Sequence, residues 1–171
     1  AVARTLYELM FRELFEFRFV QTDPNFANYL YLPATQQLAL LDLGSAGEYP
    51  AALVASYRDA CRAMLAGNDT ALREAMFAIG YAHPDDPEAM IRNAADIIRL
   101  ACEPLGHHGS YDFAASGLAV RARDLGFAVA FGKGLRSPPP ATMFLHRKLI
   151  GTFLICVKLR ARVNVHALIE K

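Results

Sequence analysis

An acid, an amide and a second acid stand close together in residues 21 to 44, QTDPNFANYLYLPATQQLALLDLG. Asp23 and Asn28 form an Asp-x4-Asn pair, and Asp42 opens an Asp-Leu-Gly triplet that ends at Gly44. Carboxylate and amide oxygens are hard donors, and magnesium takes one or two carboxylates together with phosphate oxygens and retained waters. Such a set suits phosphoryl transfer, which asks a protein for in-line positioning and for neutralisation of phosphate charge. On this reading Asn28 and Asp42 are candidate ligands for Mg2+ and for ATP, and Asp23 is the candidate catalytic residue, facing the acceptor.

These three residues need an element that brings them together. Tyr29 to Leu32 and Leu38 to Leu41 read as two short strands around the turn-like Pro33 to Gln37. An antiparallel hairpin would place Asn28 and Asp42 at its open end, at cross-strand Cα distances of ~4.5 to 5.5 Å. Each motif alone has a plain structural explanation: a turn before Pro24, a strand cap at Asn28, a turn at Asp42 to Gly44. All three in order, joined by a hairpin, favour function.

Upstream, residues 2 to 17 set Leu6, Met10, Phe11, Leu14 and Phe15 at helical spacing, opposite Arg4, Glu8, Arg12 and Glu16. Downstream the pattern is helical over Pro50 to Ala66, Asp69 to Gly80, Pro87 to Cys102, residues 114 to 130, and Pro139 to about Ala161. Asn68 or Asp69 can cap the second of these, and the prolines 138 to 140 suit a helix entrance. The expected fold is one mainly α domain over 1–171 with a small β-hairpin. Residues 1–20 lead into the catalytic segment 21–44, and 50–171 form a helical subdomain.

The composition, 54% hydrophobic and 20% charged, is that of a folded domain. No apolar run approaches the ~20 residues that cross a bilayer, since Gly151 and Thr152 interrupt Leu149 to Val157. Cys61, Cys102 and Cys156 have no metal-ligand spacing and read as reduced thiols of an intracellular protein. The net charge of +1 hides an asymmetry: residues 1 to 131 carry 10 basic and 16 acidic groups, residues 132 to 171 carry 8 basic and 1 acidic. Near-neutral overall charge without an interleaved aromatic-basic motif argues against nucleic acid.

Protein kinases use a catalytic-loop Asp, an Asn five residues later on a metal, and the Asp of an Asp-Phe-Gly triplet on a metal. Residues 13 to 49, ELFEFRFVQTDPNFANYLYLPATQQLALLDLGSAGEY, resemble the catalytic region of the UbiB family of atypical kinases, in its coenzyme Q biosynthesis subgroup. Residues 138 to 162, PPPATMFLHRKLIGTFLICVKLRAR, resemble that subgroup's Leu-His-Arg-Lys helix. The resemblance implies a protein-kinase-like C-terminal lobe, with Asp23 as catalytic-loop Asp and Asn28 and Asp42 as metal ligands. Leu43 replaces the Phe of the triplet and is expected to keep its apolar anchor.

The resemblance also implies Mg2+- and ATP-dependent chemistry in ubiquinone synthesis, on an isoprenoid lipid or quinone precursor or as an ATPase. With no Gly- or Ala-rich loop, no paired strand Lys and helix Glu, and no Lys-x-Gly-Gln, the N-lobe is expected to be absent from these residues and the lobe alone weakly active. No Ala-Pro-Glu signature follows Gly44, which disfavours a peptide substrate. The expected location is intracellular, cytoplasmic or peripheral to a bacterial inner membrane, or mitochondrial in a eukaryote. The alternative is an inactive pseudokinase-like scaffold or lipid-binding module.

Other residues have weaker readings. His107 and His108 suit an exposed turn, and His146 a structural bond to backbone near the catalytic loop. Asp85, Asp86 and Glu88 suit a helix N-terminus. Arg136, Arg147, Lys148, Lys158, Arg160 and Arg162 could contact anionic lipid heads at a membrane surface, or could pair with acids in the first 131 residues.

Overall fold

The computed structural model of the chain describes residues 1–131 and 134–169. Helix α1 (Val2–Phe11) runs directly into a π-helical turn (Arg12–Phe17), and the chain leaves it through Arg18 in the left-handed region, at φ 55°. Strand β1 (Phe19–Gln21) follows, then β2 (Tyr29–Leu32), β3 (Gln37–Leu40) and β4 (Ala46–Glu48). Helices α2 (Ala51–Leu65), α3 (Asp69–Ile79), α4 (Glu88–Ala101) and the short α5 (Glu103–Gly106) come next. After β5 (Tyr111–Asp112) and α6 (Leu118–Phe131), the long α7 (Pro140–Lys158) leads to β6 (Arg162–Val163) and α8 (His166–Ile169).

The helical expectation holds, with boundaries shifted by a residue or two at most helices. Asn68 caps α3 by accepting from the Ala71 N–H at 3.0 Å, and Gly80 ends it at φ 91°. Pro140 opens α7, where its missing N–H costs nothing. The sheet content is richer than one hairpin: three separate two-stranded antiparallel ribbons pair β2 with β3, β1 with β4 and β5 with β6. The two additional ribbons have strands of two or three residues, too short to show a period of two.

Two apolar clusters make the interior. One joins Val20 of β1, Tyr49 and the inward faces of α2, α3 and α4; the other joins α1, α5, β5, β6 and Val165. Helix α7 links them, since Leu145 lies in the first, Cys156 in the second, and Leu149 packs against both. Because α7 is packed into both clusters, the side chains along its middle have a fixed backing. What packs there is the segment carrying Asp23.

Candidate active site

Ribbon β1/β4 closes the base of the segment from residue 22 to residue 45. Gln21 pairs with Ala46 across it, and both the N–H and the hydroxyl of Thr22 donate to the Ser45 carbonyl, at 3.0 and 2.5 Å. The β2/β3 hairpin projects from that base with Tyr29 opposite Leu40. Asp23 and Asn28 therefore lie on the outgoing connection between the ribbons and Asp42 on the returning one.

The hairpin register places Asn28 differently from the sequence expectation. The Leu41 N–H donates to the Asn28 carbonyl at 3.0 Å, so Leu41 faces Asn28 and Asp42 falls one residue beyond the cross-strand position. The Asp42 Oδ1 accepts from the Gly44 N–H at 2.7 Å, which forms the turn of the triplet. Leu43 is 56% exposed, so it is not the buried apolar anchor the sequence suggested.

Asp23, expected to face an acceptor, has partners on both carboxylate oxygens. Its Oδ2 accepts from Asn28 Nδ2 at 3.0 Å, and its Oδ1 is ion-paired with the Arg147 guanidinium of α7 at 2.5 Å. Asn28 Nδ2 also reaches the Asp23 carbonyl at 3.0 Å. With the nitrogen of Asn28 turned to Asp23, its Oδ1 faces elsewhere. Neither that oxygen nor Asp42 Oδ2 accepts a hydrogen bond among the described residues.

Behind the loop sits a buried polar group that sequence reasoning missed. Gln21, 1% exposed, donates from Nε2 to the Asp23 carbonyl at 2.8 Å and, more weakly, to the Asp42 carbonyl at 3.5 Å. Its Oε1 lies 3.4 Å from Lys148 Nζ, which is ion-paired at 2.8 Å with Glu13 Oε2. The side chains of Lys148 and Glu13 are 1% and 6% exposed. Glu13 Oε2 holds Lys148 as an ion pair and lacks an aligned hydrogen bond. Burial pushes the Glu13 carboxyl up, against the opposing pull of Lys148. Tyr29, 3.5 Å from the same ammonium, is pushed up to about 12, by burial first and then by the charges of Glu13 and Asp23.

Two features of the sequence could have signalled this group. Arg147 and Lys148 are adjacent charges in the middle of a mainly apolar helix, and Gln21 follows two apolar residues into a short strand. The π-helical turn that carries Glu13 inward coincides with the group, as such turns do at functional sites. Gly151 is equally part of the arrangement, because Pro24 lies directly against it.

The remaining singled-out residues fall away from the site. His146 bonds the Tyr81 hydroxyl, not backbone of the catalytic loop, and Tyr81 in turn bonds Tyr57. His107 and His108 are exposed, as expected. Asp86 accepts from the His83 N–H at 2.7 Å and pairs with Arg136, while no side chain caps α4. Of the basic residues near the end of the chain, Arg136, Arg147, Lys148 and Arg162 pair with Asp86, Asp23, Glu13 and Asp112. That outcome matches the internal-pairing alternative and leaves Lys158, over the Phe26 ring at 4.6 Å, and Arg160 outside it. No described helix is long and apolar enough to cross a membrane.

The donor chemistry fits magnesium. Asn28 Oδ1 and Asp42 Oδ2 are hard oxygens, and no described cluster of three His, Cys, Asp or Glu offers a softer or fuller cage. Two protein ligands would leave the remaining positions to phosphate oxygens and water, the arrangement magnesium accepts in nucleotide sites.

Residues 1–76 match the ABC1 atypical kinase-like domain. Over 169 residues, 96% of the chain, the sequence is 36% identical to the Rattus norvegicus protein named atypical kinase COQ8B, mitochondrial, covering 31% of that relative. It is 34% identical over 158 residues to the Schizosaccharomyces pombe protein named atypical kinase COQ8, mitochondrial, covering 90% of the chain and 25% of the relative. It is 28% identical over 170 residues to a Dictyostelium discoideum protein named probable serine/threonine-protein kinase abkA, covering 95% of the chain and 30% of that relative. The chain thus spans about a third or less of the length of these relatives. The resemblance carried by residues 13 to 49 and 138 to 162 extends over most of the chain, and the domain match implies a kinase-like fold.

Proposed function

We propose that this chain, which matches the ABC1 atypical kinase-like domain over residues 1–76 and resembles UbiB-type atypical kinases over most of its length, supplies the C-terminal lobe of a magnesium-dependent kinase or ATPase that supports ubiquinone synthesis. The observation that carries the reading is the Gln21 amide, which bonds the backbone of Asp23 and reaches that of Asp42. One buried side chain so ties together the two acids that phosphoryl transfer would use, although they are 19 positions apart in the chain.

Asn28 Oδ1 and Asp42 Oδ2 would hold magnesium, which when bound would shield the negative charge of the ATP phosphates. Asn28 also holds Asp23 through Nδ2, so that the metal ligand and the acid acting on the acceptor keep a fixed relation. Asp23 would orient the attacking hydroxyl or water and accept its proton. The buried Glu13–Lys148 pair stands beside Gln21, with Lys148 Nζ 3.4 Å from the Gln21 Oε1. An isoprenoid lipid or quinone precursor is the proposed acceptor class, with water as the acceptor in ATPase turnover.

A second reading, a scaffold or lipid-binding module, draws on two observations. Both carboxylate oxygens of Asp23 are engaged, and α7 exposes Met143, Phe144, Ile150 and Leu154. The full-length protein decides between them by thermal unfolding with ATP and magnesium. Stabilisation that needs both supports the kinase reading; no shift at millimolar Mg·ATP favours the scaffold.

A further inference from the structure

Resting on the phosphoryl-transfer reading, we propose that Arg147 is a phosphate-binding residue of this site, lent by α7 to neutralise the group in transit beside Asp23. The loop from Asp23 to Asn28 contains no Lys or Arg. Lys148, one position along α7, is 1% exposed and committed to Glu13, and Lys158 lies over the Phe26 ring. Arg147 is therefore the accessible cation at Asp23 among the described residues, with its side chain 58% exposed.

Its mode of pairing leaves capacity for a second anion. Arg73 with Glu88 and Arg121 with Glu103 engage both carboxylate oxygens through two nitrogens. Arg147 touches Asp23 through one nitrogen and one oxygen only. A guanidinium has five N–H donors in a planar fork suited to phosphate, so most remain for phosphoryl oxygens. The other oxygen of Asp23 is held by Asn28, so Asp23 stands between the proposed metal ligand and the arginine.

In the transfer, the bond between the γ-phosphorus and the ADP oxygen breaks and a bond to the acceptor oxygen forms. The acceptor's proton passes to Asp23. Arg147 exchanges no proton; it neutralises charge on the equatorial oxygens, where arginines in other phosphoryl-transfer enzymes act.

The test uses full-length protein, wild type and the variants Arg147→Ala, Arg147→Lys and Asp42→Asn, with Mg·ATP as substrate. Arg147→Ala is expected to lower kcat by about 100-fold or more with KM for ATP within about threefold. Arg147→Lys, or guanidinium ion added to the alanine variant, should recover part of the loss. A binding readout stands beside turnover: wild type should bind Mg·ADP with vanadate more tightly than Mg·ADP alone, and Arg147→Ala should lose that increment only. If Asp42→Asn abolishes turnover while Arg147→Ala keeps kcat within twofold and keeps the vanadate increment, Arg147 is a surface ion pair and the proposal fails alone. If wild type neither hydrolyses nor binds Mg·ATP, the phosphoryl-transfer reading fails and takes this proposal with it.

Discussion

Pro24 lies so close to Gly151 that the two positions constrain each other: a Cβ added to the glycine would stand 2.1 Å from Pro24 Cγ and 2.8 Å from its Cβ. A glycine inside a helix costs about 0.5 to 1 kcal/mol relative to alanine. In α7 that cost is offset by letting the loop with Asp23 sit directly on the helix that carries Arg147 and Lys148. Gly151→Ala should therefore destabilise the protein by about 1 to 3 kcal/mol despite its better helix propensity, because the proline ring or the helix must move. Urea unfolding measures this. An alanine variant more stable than wild type would show that the loop does not rest on α7.

Lys148 and Glu13 predict a non-additive pair. Lys148→Met leaves Glu13 buried beside Gln21 without its counter-charge and should cost about 3 to 5 kcal/mol. Lys148→Met combined with Glu13→Gln removes both charges and should cost distinctly less than the single change. A double-mutant cycle by denaturant titration gives the coupling, and strictly additive losses would refute the buried pair.

His146 predicts a pH dependence on the acid side of neutrality. Burial holds its imidazole below the ordinary value of 6.5. In the window between the lowered folded value and 6.5 the unfolded chain binds more protons than the folded one, so stability rises with pH there and is lost as pH falls through it. His146→Gln should flatten that part of the profile of unfolding free energy against pH. A variant with the wild-type slope below 6.5 would assign the proton uptake to another group.

Much of the architecture was legible in residue periodicity, because α2, α3, α4 and α7 each bury a stripe at helical spacing and begin at capping or proline signals. The β2/β3 hairpin was legible for the same reason, from two apolar runs around Pro33 to Gln37. The β1/β4 ribbon was not, since three residues on each side carry no alternation, yet it is the element that closes the candidate site's segment at Thr22 and Ser45. Asp23, Asn28 and Asp42 could be picked out by type and spacing. The groups around them could not: Arg147 meets Asp23 across 124 positions and Lys148 meets Gln21 across 127, contacts that only tertiary packing makes. The one-residue offset of Asp42 from Asn28 likewise depends on hairpin register, which sequence spacing does not fix to the residue.

If Asp42 acts on the metal in phosphoryl transfer, steady-state ATP turnover by the full-length protein, measured with and without magnesium, must depend on it. Magnesium-dependent turnover that Asp42→Asn lowers by about 100-fold or more is expected, a loss of the size seen when charge stabilisation at the phosphates is removed. Turnover unchanged in Asp42→Asn would contradict it.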